Sequence, residues 1–437
     1  MPALVFLIAL VAWLYFVSLD MLATGLPLAL EAAGAGETWI GFLAGWMGLA
    51  ALVQRPLLAA WGDRRGHWPV LLASLLAAVA GSLLFAASSA PGLQLVARTL
   101  QGTSLAGLVV ASQALMVALV PAGLRGRALA LQGLADTGGV LAGTNLGEWT
   151  WRREGTPGLF LLAAALAAAA LLLALAGRAA AAAGRRTMPR AARRPRPAAA
   201  AGAPGGDPAG PARGPAAGHP AHRSPTTAAA AATAPAARGT GKTAGPRWPV
   251  TVPVLLMGGA IGVVFGAVLN LTVLHAQRVG YHAGTWLAVF ALVSMLARYG
   301  AGFFIDRHGE RGPDRLLPPA FAAMAAGAAA MATAASPAIA YGAAGVLALG
   351  YGAGHTALVT RVVARAPEEQ RGAAAGWVAN SIDLGLGVGL AVLGWILETF
   401  SFPVMYATLA ATAGTGAVLA TVSSTTPGLR PGTPRNG

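Results

Sequence analysis

Twelve stretches of the 437-residue chain are apolar over about the 20 residues that a helix needs to cross a bilayer. They fall near 3–30, 38–62, 69–89, 93–120, 128–146 and 158–177, then near 249–275, 285–305, 316–336, 338–366, 372–397 and 402–423. In hydrocarbon each unpaired backbone N–H or C=O costs several kcal/mol, so runs of this kind close their own hydrogen bonds as helices. The expected fold class is an all-α integral membrane protein with 12 transmembrane helices in two six-helix halves, 1–177 and 249–423. The chain is 56% hydrophobic and 10% charged, with a mean hydropathy of +0.63, more than a soluble core of this length requires. The first run lacks a basic leader and is too long for a signal peptide, so it is read as a retained span.

The net charge of +15 is concentrated between the halves. Residues 178–248 hold 12 of the 30 basic residues and one of the 15 acids, Asp207, a local balance of +11. Their Ala, Pro, Gly and Arg have almost no apolar bulk to offset the entropy of ordering, so a disordered basic cytoplasmic linker is expected, with 424–437 as a cytoplasmic tail. It is read as a solvated spacer, with binding to anionic lipid headgroups or RNA, at about 1 kcal/mol per basic residue near an anionic surface, as the alternative. No nucleic-acid partner is expected. "GTGKT" at 239–243 lacks the first glycine and the preceding strand of a phosphate loop, so ATP is not the expected driver.

Cysteine is absent, which excludes disulfides, thiolate metal sites and cysteine nucleophiles and suits a bacterial inner membrane. No carboxylates and histidines stand at metal-ligand spacing and no nucleophile has a base, so neither a metal, a cofactor nor an enzyme activity is expected. With both termini inside, eleven arginines outside the linker fall on the cytoplasmic side, and only Arg152, Arg153 and Arg278 fall outside. That asymmetry sets the orientation in a plasma or inner membrane.

Two charged frames repeat. Arg55, Asp63, Arg64 and Gly66 recur as Arg298, Asp306, Arg307 and Gly309, a shift of 243; Pro121, Arg125, Gly126 and Ala128 recur as Pro367, Arg371, Gly372 and Ala374, a shift of 246. Equivalent loops in halves of nearly equal length indicate parallel repeats about an axis along the membrane normal.

These residues resemble the major facilitator superfamily. Gly302, Asp306, Arg307, Gly309 and Arg311 are similar to its loop signature between helices 2 and 3. Asp63, Arg64 and Gly66 form a first copy that departs from it at Ala59, His67 and Trp68. "RTLQG" at 98–102 with Gly107 resembles the family's helix-4 motif; Gly139, Gly143 and Gly147 resemble its helix-5 packing motif, with Thr144 where that motif has proline. The resemblance implies the major facilitator fold and a secondary transporter that rocks two halves around a central site. It also implies a latch in which the Asp63 carboxylate meets the positive N-terminal end of helix 11 near Gly372. Among subfamilies the motifs look most like drug and metallophore exporters driven by a proton gradient. An importer of a sugar or organic acid, or a non-transporting membrane sensor, remains the alternative.

Ionisable residues inside the spans cost about 2.5–3.5 kcal/mol at the bilayer centre and therefore need a partner, water or a function. They are Asp20, Arg98, Asp136, His355 with Arg361, and Asp383. Asp20 and Arg98 lie about 15 Å and 8 Å from the same outer edge, within reach of a side-chain pair or a water bridge. That pair is either static or changes protonation during transport. Asp136 and Asp383, with Gln132 and Asn380 one turn back, are placed for structural hydrogen bonds or for proton exchange. His355 and Asn270 are further cavity candidates. The expected partners are a small-molecule substrate and membrane lipid, with the chain acting as a monomer.

Overall fold

The computed structural model describes residues 3–121, 124–187, 251–367 and 370–425. The chain forms α1 (Ala3–Ala32), α2 (Glu37–Arg65), α3 (His67–Ala87), α4 (Pro91–Ala118) and α5 (Arg125–Thr187), followed by α6 (Val252–Asn270), α7 (Thr272–Val279), α8 (Ala283–His308), α9 (Gly312–Ala332), α10 (Pro337–Arg365), α11 (Arg371–Thr399) and α12 (Phe402–Thr425). No strand occurs among the described residues. Among the described residues ten apolar stretches are long enough to cross a membrane, and two of them are double. Residues 127–183 reverse direction at Gly155 (φ 67°), ahead of Pro157, and residues 283–332 are broken at Gly309 (φ 57°), ahead of Pro313. The count of twelve crossings follows, as the apolar runs imply.

Glycine in the repeated loop frame has a backbone reason. Gly66 ends α2 at φ 86° and Gly309 ends α8 at φ 57°, a region that a side chain disfavours. Span 7 departs from the expected single run. It breaks at Leu271, where the Thr272 hydroxyl donates to the Ala267 carbonyl and competes with the helix ladder. The first bundle also runs past its expected end at 177, because α5 continues through "RAAAAAGRRT" to Thr187. Alanine has the highest helix propensity, and five in succession prolong the helix. The rest of the expected linker and the tail from 426 on lie outside the described residues.

The packing is that of a chain solvated by lipid. Leu57, Leu172, Val252 and Phe303 are 67–69% exposed on the outside of the bundle, while the contacts between helices are made by small residues. The seam between the halves along α2 and α11 is built on glycine: a Cβ on Gly41 or Gly394 would run into the facing helix, and one on Gly45 into the carbonyl oxygen of Gly387. Gly45→Val is therefore expected to overpack this seam by about 1–3 kcal/mol. Its check is a lower melting temperature and a lower monodisperse yield in detergent, with Gly342→Val, which meets open space, as the control.

Candidate functional site

A cavity of 340 Å³ lies between the two halves. Its first wall comes from α1 (Phe16, Leu19, Asp20) and α5 (Gly133, Asp136, Thr137, Val140); the second comes from α6 (Phe265, Leu269), α8 (Leu287, Phe290, Ser294, Arg298) and Tyr351 of α10. Both walls are apolar and aromatic, and charge is confined to Asp20, Asp136 and Arg298.

Asp20 is 6% exposed, and its Oδ2 has no hydrogen-bond partner. Glycines hold it against α5. A Cβ on Gly143 would meet the Val17 carbonyl and Asp20 itself, one on Gly139 the side chain of Phe16, and one on Gly147 the Met21 carbonyl, so these three residues let α5 pack on the backbone of α1 around the carboxylate. Asp136 accepts a hydrogen bond from Gln132 Nε2 at 2.7 Å, one turn back, as the sequence spacing suggested. Arg298 lies 5.4 Å from the Tyr351 ring and donates to its hydroxyl at 3.4 Å; Tyr351 in turn stacks on Phe265.

The two ends of the bundle are not alike. At the end away from Arg64, Arg65, Arg307 and Arg311, three polar contacts join the halves, each to a carboxylate. Glu37 pairs with Arg278 at 2.9 Å, Glu398 accepts the Thr38 N–H at 2.7 Å, and Glu148 accepts the Gly284 N–H at 2.7 Å. A fourth link lies near mid-depth, where Arg55 of α2 and Asp383 of α11 form an ion pair at 2.5 Å. Toward the basic end, no hydrogen bond or ion pair joins the halves among the described residues. Asp63 and Asp306 are exposed there, without a partner among the described residues, and Arg64 and Arg307 are exposed beside them. The contact between Asp63 and the start of helix 11 that the resemblance implies is not seen among the described residues. If Asp63 engages α11 only when the basic end closes, Asp63→Asn should leave melting temperature unchanged and slow turnover severalfold, with a smaller effect from Asp306→Asn. Side-by-side thermal and flux measurements check this, and unchanged turnover at normal expression would remove the latch.

Other expectations are corrected. Asp20 and Arg98 do not pair. Arg98, 2% exposed, donates to Gln101 Oε1 at 2.9 Å and lies 5.9 Å from the Phe85 ring. From the helix ends Asp20 is about 18 Å deep and Arg98 about 10 Å, close to the expected offset, so the pair is absent because Arg98 turns to Gln101. Asp383 pairs with Arg55, as the structural one of its two expected roles would have it. Neither His355 nor Asn270 lines the cavity. His355 sits 6.1 Å from the Tyr351 ring, and Asn270 donates back to the Gly266 carbonyl. Arg361 is satisfied by Asp314 at 3.1 Å and by Ser423. Two features escaped the sequence reading, the placement of Arg298 in the cavity and the enclosure of His275 by Tyr281, Phe402 and Tyr406. Arg298 had a signal in its repeat equivalence to Arg55; His275 had none. Among the described residues no group of three or more metal-ligating side chains occurs.

Three solved structures share the architecture. They are the human organic anion transporter MFSD10 (TETRAN), with 16% identity, TM-score 0.60 and coverage of 96% of this chain and 100% of that one; a bacterial homolog of the human lysosomal transporter Spinster, inward-facing and unoccupied, with 14% identity, TM-score 0.69 and coverage of 96% and 95%; and a variant of the nucleoside transporter NupG, with 14% identity, TM-score 0.64 and coverage of 97% and 100%. At these identities the likeness concerns the fold. No curated protein sequence matches the chain. The Major Facilitator Superfamily profile matches residues 8–354 and again 282–436, nearly the whole length. With twelve crossings in two halves around a charged cavity, this chain belongs to the Major Facilitator Superfamily and is a multi-pass membrane transporter.

Proposed function

We propose that the protein exports a small organic molecule from the cytoplasm in exchange for protons, as a monomer in the inner membrane with both termini cytoplasmic. The observation that carries this reading is the placement of carboxylates. One, Asp20, is buried in the cavity wall without a full set of hydrogen bonds, and three others hold the halves together at the end away from the basic loops. By the positive-inside rule that end faces outward. A proton that reaches Asp20 from outside, once the outer contacts are open, removes a charge that is otherwise buried. Protonation lowers the cost of burying Asp20 when the outer end closes, so proton entry favours the return to the state that reloads from the cytoplasm. The energetics suffice. One proton moving down 100 mV releases about 2.3 kcal/mol, and at about 1.4 kcal/mol per tenfold this sustains a gradient of roughly fifty-fold.

The drug and metallophore exporter resemblance of the helix-4 and helix-5 motifs supports the direction. The test is accumulation of a labelled panel of organic cations, zwitterions and anions in everted membrane vesicles. Accumulation should need a proton gradient and collapse with a protonophore. Gradient-driven movement in the opposite sense would favour the importer, and no gradient-driven movement of any compound would overturn the transport cycle. Deleting residues 185–245 should leave transport largely intact, whereas a sensor working through the basic linker would lose its output.

A further inference from the structure

Each half carries the same charges on the helices that meet across the halves, an arginine on the first helix of its charged frame and an aspartate on the helix three spans later. Arg55 on α2 and Arg298 on α8 are equivalent at a shift of 243. Asp136 on α5 and Asp383 on α11 are 247 apart, one residue off the 246 that relates Arg125 to Arg371. Each of the two inter-half seams therefore holds one arginine and one aspartate at comparable depth. In the α2–α11 seam they pair directly. In the α5–α8 seam they do not: Arg298 and Asp136 both line the cavity, and no ion pair joins them.

What keeps them apart is specific. Arg298 is held on its own wall by Tyr351, and Asp136 on the other by Gln132. Each charge is positioned by a neighbour from its own half, with an apolar aromatic space between the two. A guanidinium and a carboxylate pinned on opposite walls at membrane depth, each lacking a counter-ion, are complementary to a ligand that brings both missing charges.

We infer that this cavity binds a zwitterionic amphiphile whose cationic group meets Asp136, whose anionic group meets Arg298, and whose apolar body packs on Phe16, Phe265 and Phe290. This specifies the substrate class of the transporter proposed above and rests on that reading, but its test is a binding measurement and needs no transport. Asp20 is left free as the proton site, and Arg55 with Asp383 serves as the permanently paired counterpart.

The probes are phenylalanylphenylalanine, its N-acetyl derivative, which keeps only the anion, and its C-terminal amide, which keeps only the cation. Binding to the purified full chain in nanodiscs is followed by intrinsic tryptophan fluorescence. The zwitterion should bind at least about tenfold more tightly than either derivative, the value of one lost charge-assisted contact. Arg298→Gln should weaken the dipeptide and its N-acetyl form but spare the amide; Asp136→Asn should weaken the dipeptide and its amide but spare the N-acetyl form. Because the blocked probes remove the same charges from the ligand, the unaltered protein tests the idea even if a variant folds poorly. Equal binding of all three probes, or of none, overturns the inference. So does rapid disulfide formation in ligand-free Asp136→Cys with Arg298→Cys, which would mean that the two groups pair directly; the absence of native cysteine makes that readout clean. Probe binding in the expected pattern without any proton-driven flux would instead leave the site standing and sink the export cycle.

Discussion

Asp20→Asn is expected to reduce pH-gradient-driven transport to the level seen with a protonophore while leaving substrate binding within about threefold. The amide fills the same space as the carboxyl but cannot exchange a proton. Asp20 has the surroundings of a group that cycles. It is 6% exposed, one oxygen lacks a partner, and it lines the cavity beside Asp136. An ionised carboxylate there carries an uncompensated desolvation cost, which proton uptake relieves. Arg98, on another helix of the same half, has its own Nε unsatisfied and donates to Gln101. Arg98→Gln is expected to reduce the transport rate without removing its dependence on the pH gradient. A structural role predicts something different, namely poor insertion of both single variants and recovery of expression and activity in the double variant. Gradient-driven flux that persists in Asp20→Asn, measured in everted vesicles at matched expression, would move the proton site to Asp136.

The second large effect is expected at the α2–α11 pair. Arg55→Gln leaves Asp383 without its counter-ion at mid-depth in the membrane. Removing one partner of a fully buried pair costs about 3–5 kcal/mol, and because these side chains retain about a quarter of their exposure, roughly 2–3 kcal/mol is expected here. Asp383→Asn should cost less. Arg55 lies ten residues, about 15 Å, from the basic end of α2 and can extend part of the way toward water. Arg55→Gln combined with Asp383→Asn leaves two neutral polar groups facing each other and should recover most of the loss. Melting temperatures of the four proteins in a double-mutant cycle give the coupling. A coupling near zero would show that the pair contributes nothing to the seam. The pair stands at the inner limit of the glycine-lined seam between α2 and α11.

Much of the architecture was legible because a bilayer imposes simple rules. A run of about 20 apolar residues has one stable conformation in hydrocarbon, and a repeated charged frame identifies equivalent loops. The same reasoning located the intramembrane charges, since each stands out against lipid-soluble neighbours. It did less well on who pairs with whom. Asp383 is read from the sequence as a group for structural hydrogen bonds or for proton exchange, and the partner that the structure gives it, Arg55, lies 328 positions away in the chain. Asp20 and Arg98 differ in depth by about 8 Å, close to the about 7 Å expected from the span ends, and what depth alone does not give is the direction of each side chain, which takes Arg98 to Gln101.

By itself the sequence determined the class of solvent, the number of crossings, the two-fold repeat and the list of charges that membrane burial makes expensive. Each of these depends on local composition or on periodicity along the chain. Only the tertiary structure decided which end is joined across the halves, that Arg298 faces a cavity while its repeat partner Arg55 is neutralised, and that the glycines of α5 place Asp20 beside an open space. Those outcomes depend on the rotation and depth of helices far apart in sequence. A shift of one residue turns a helix by about 100°, enough to move a charge from a wall to a seam.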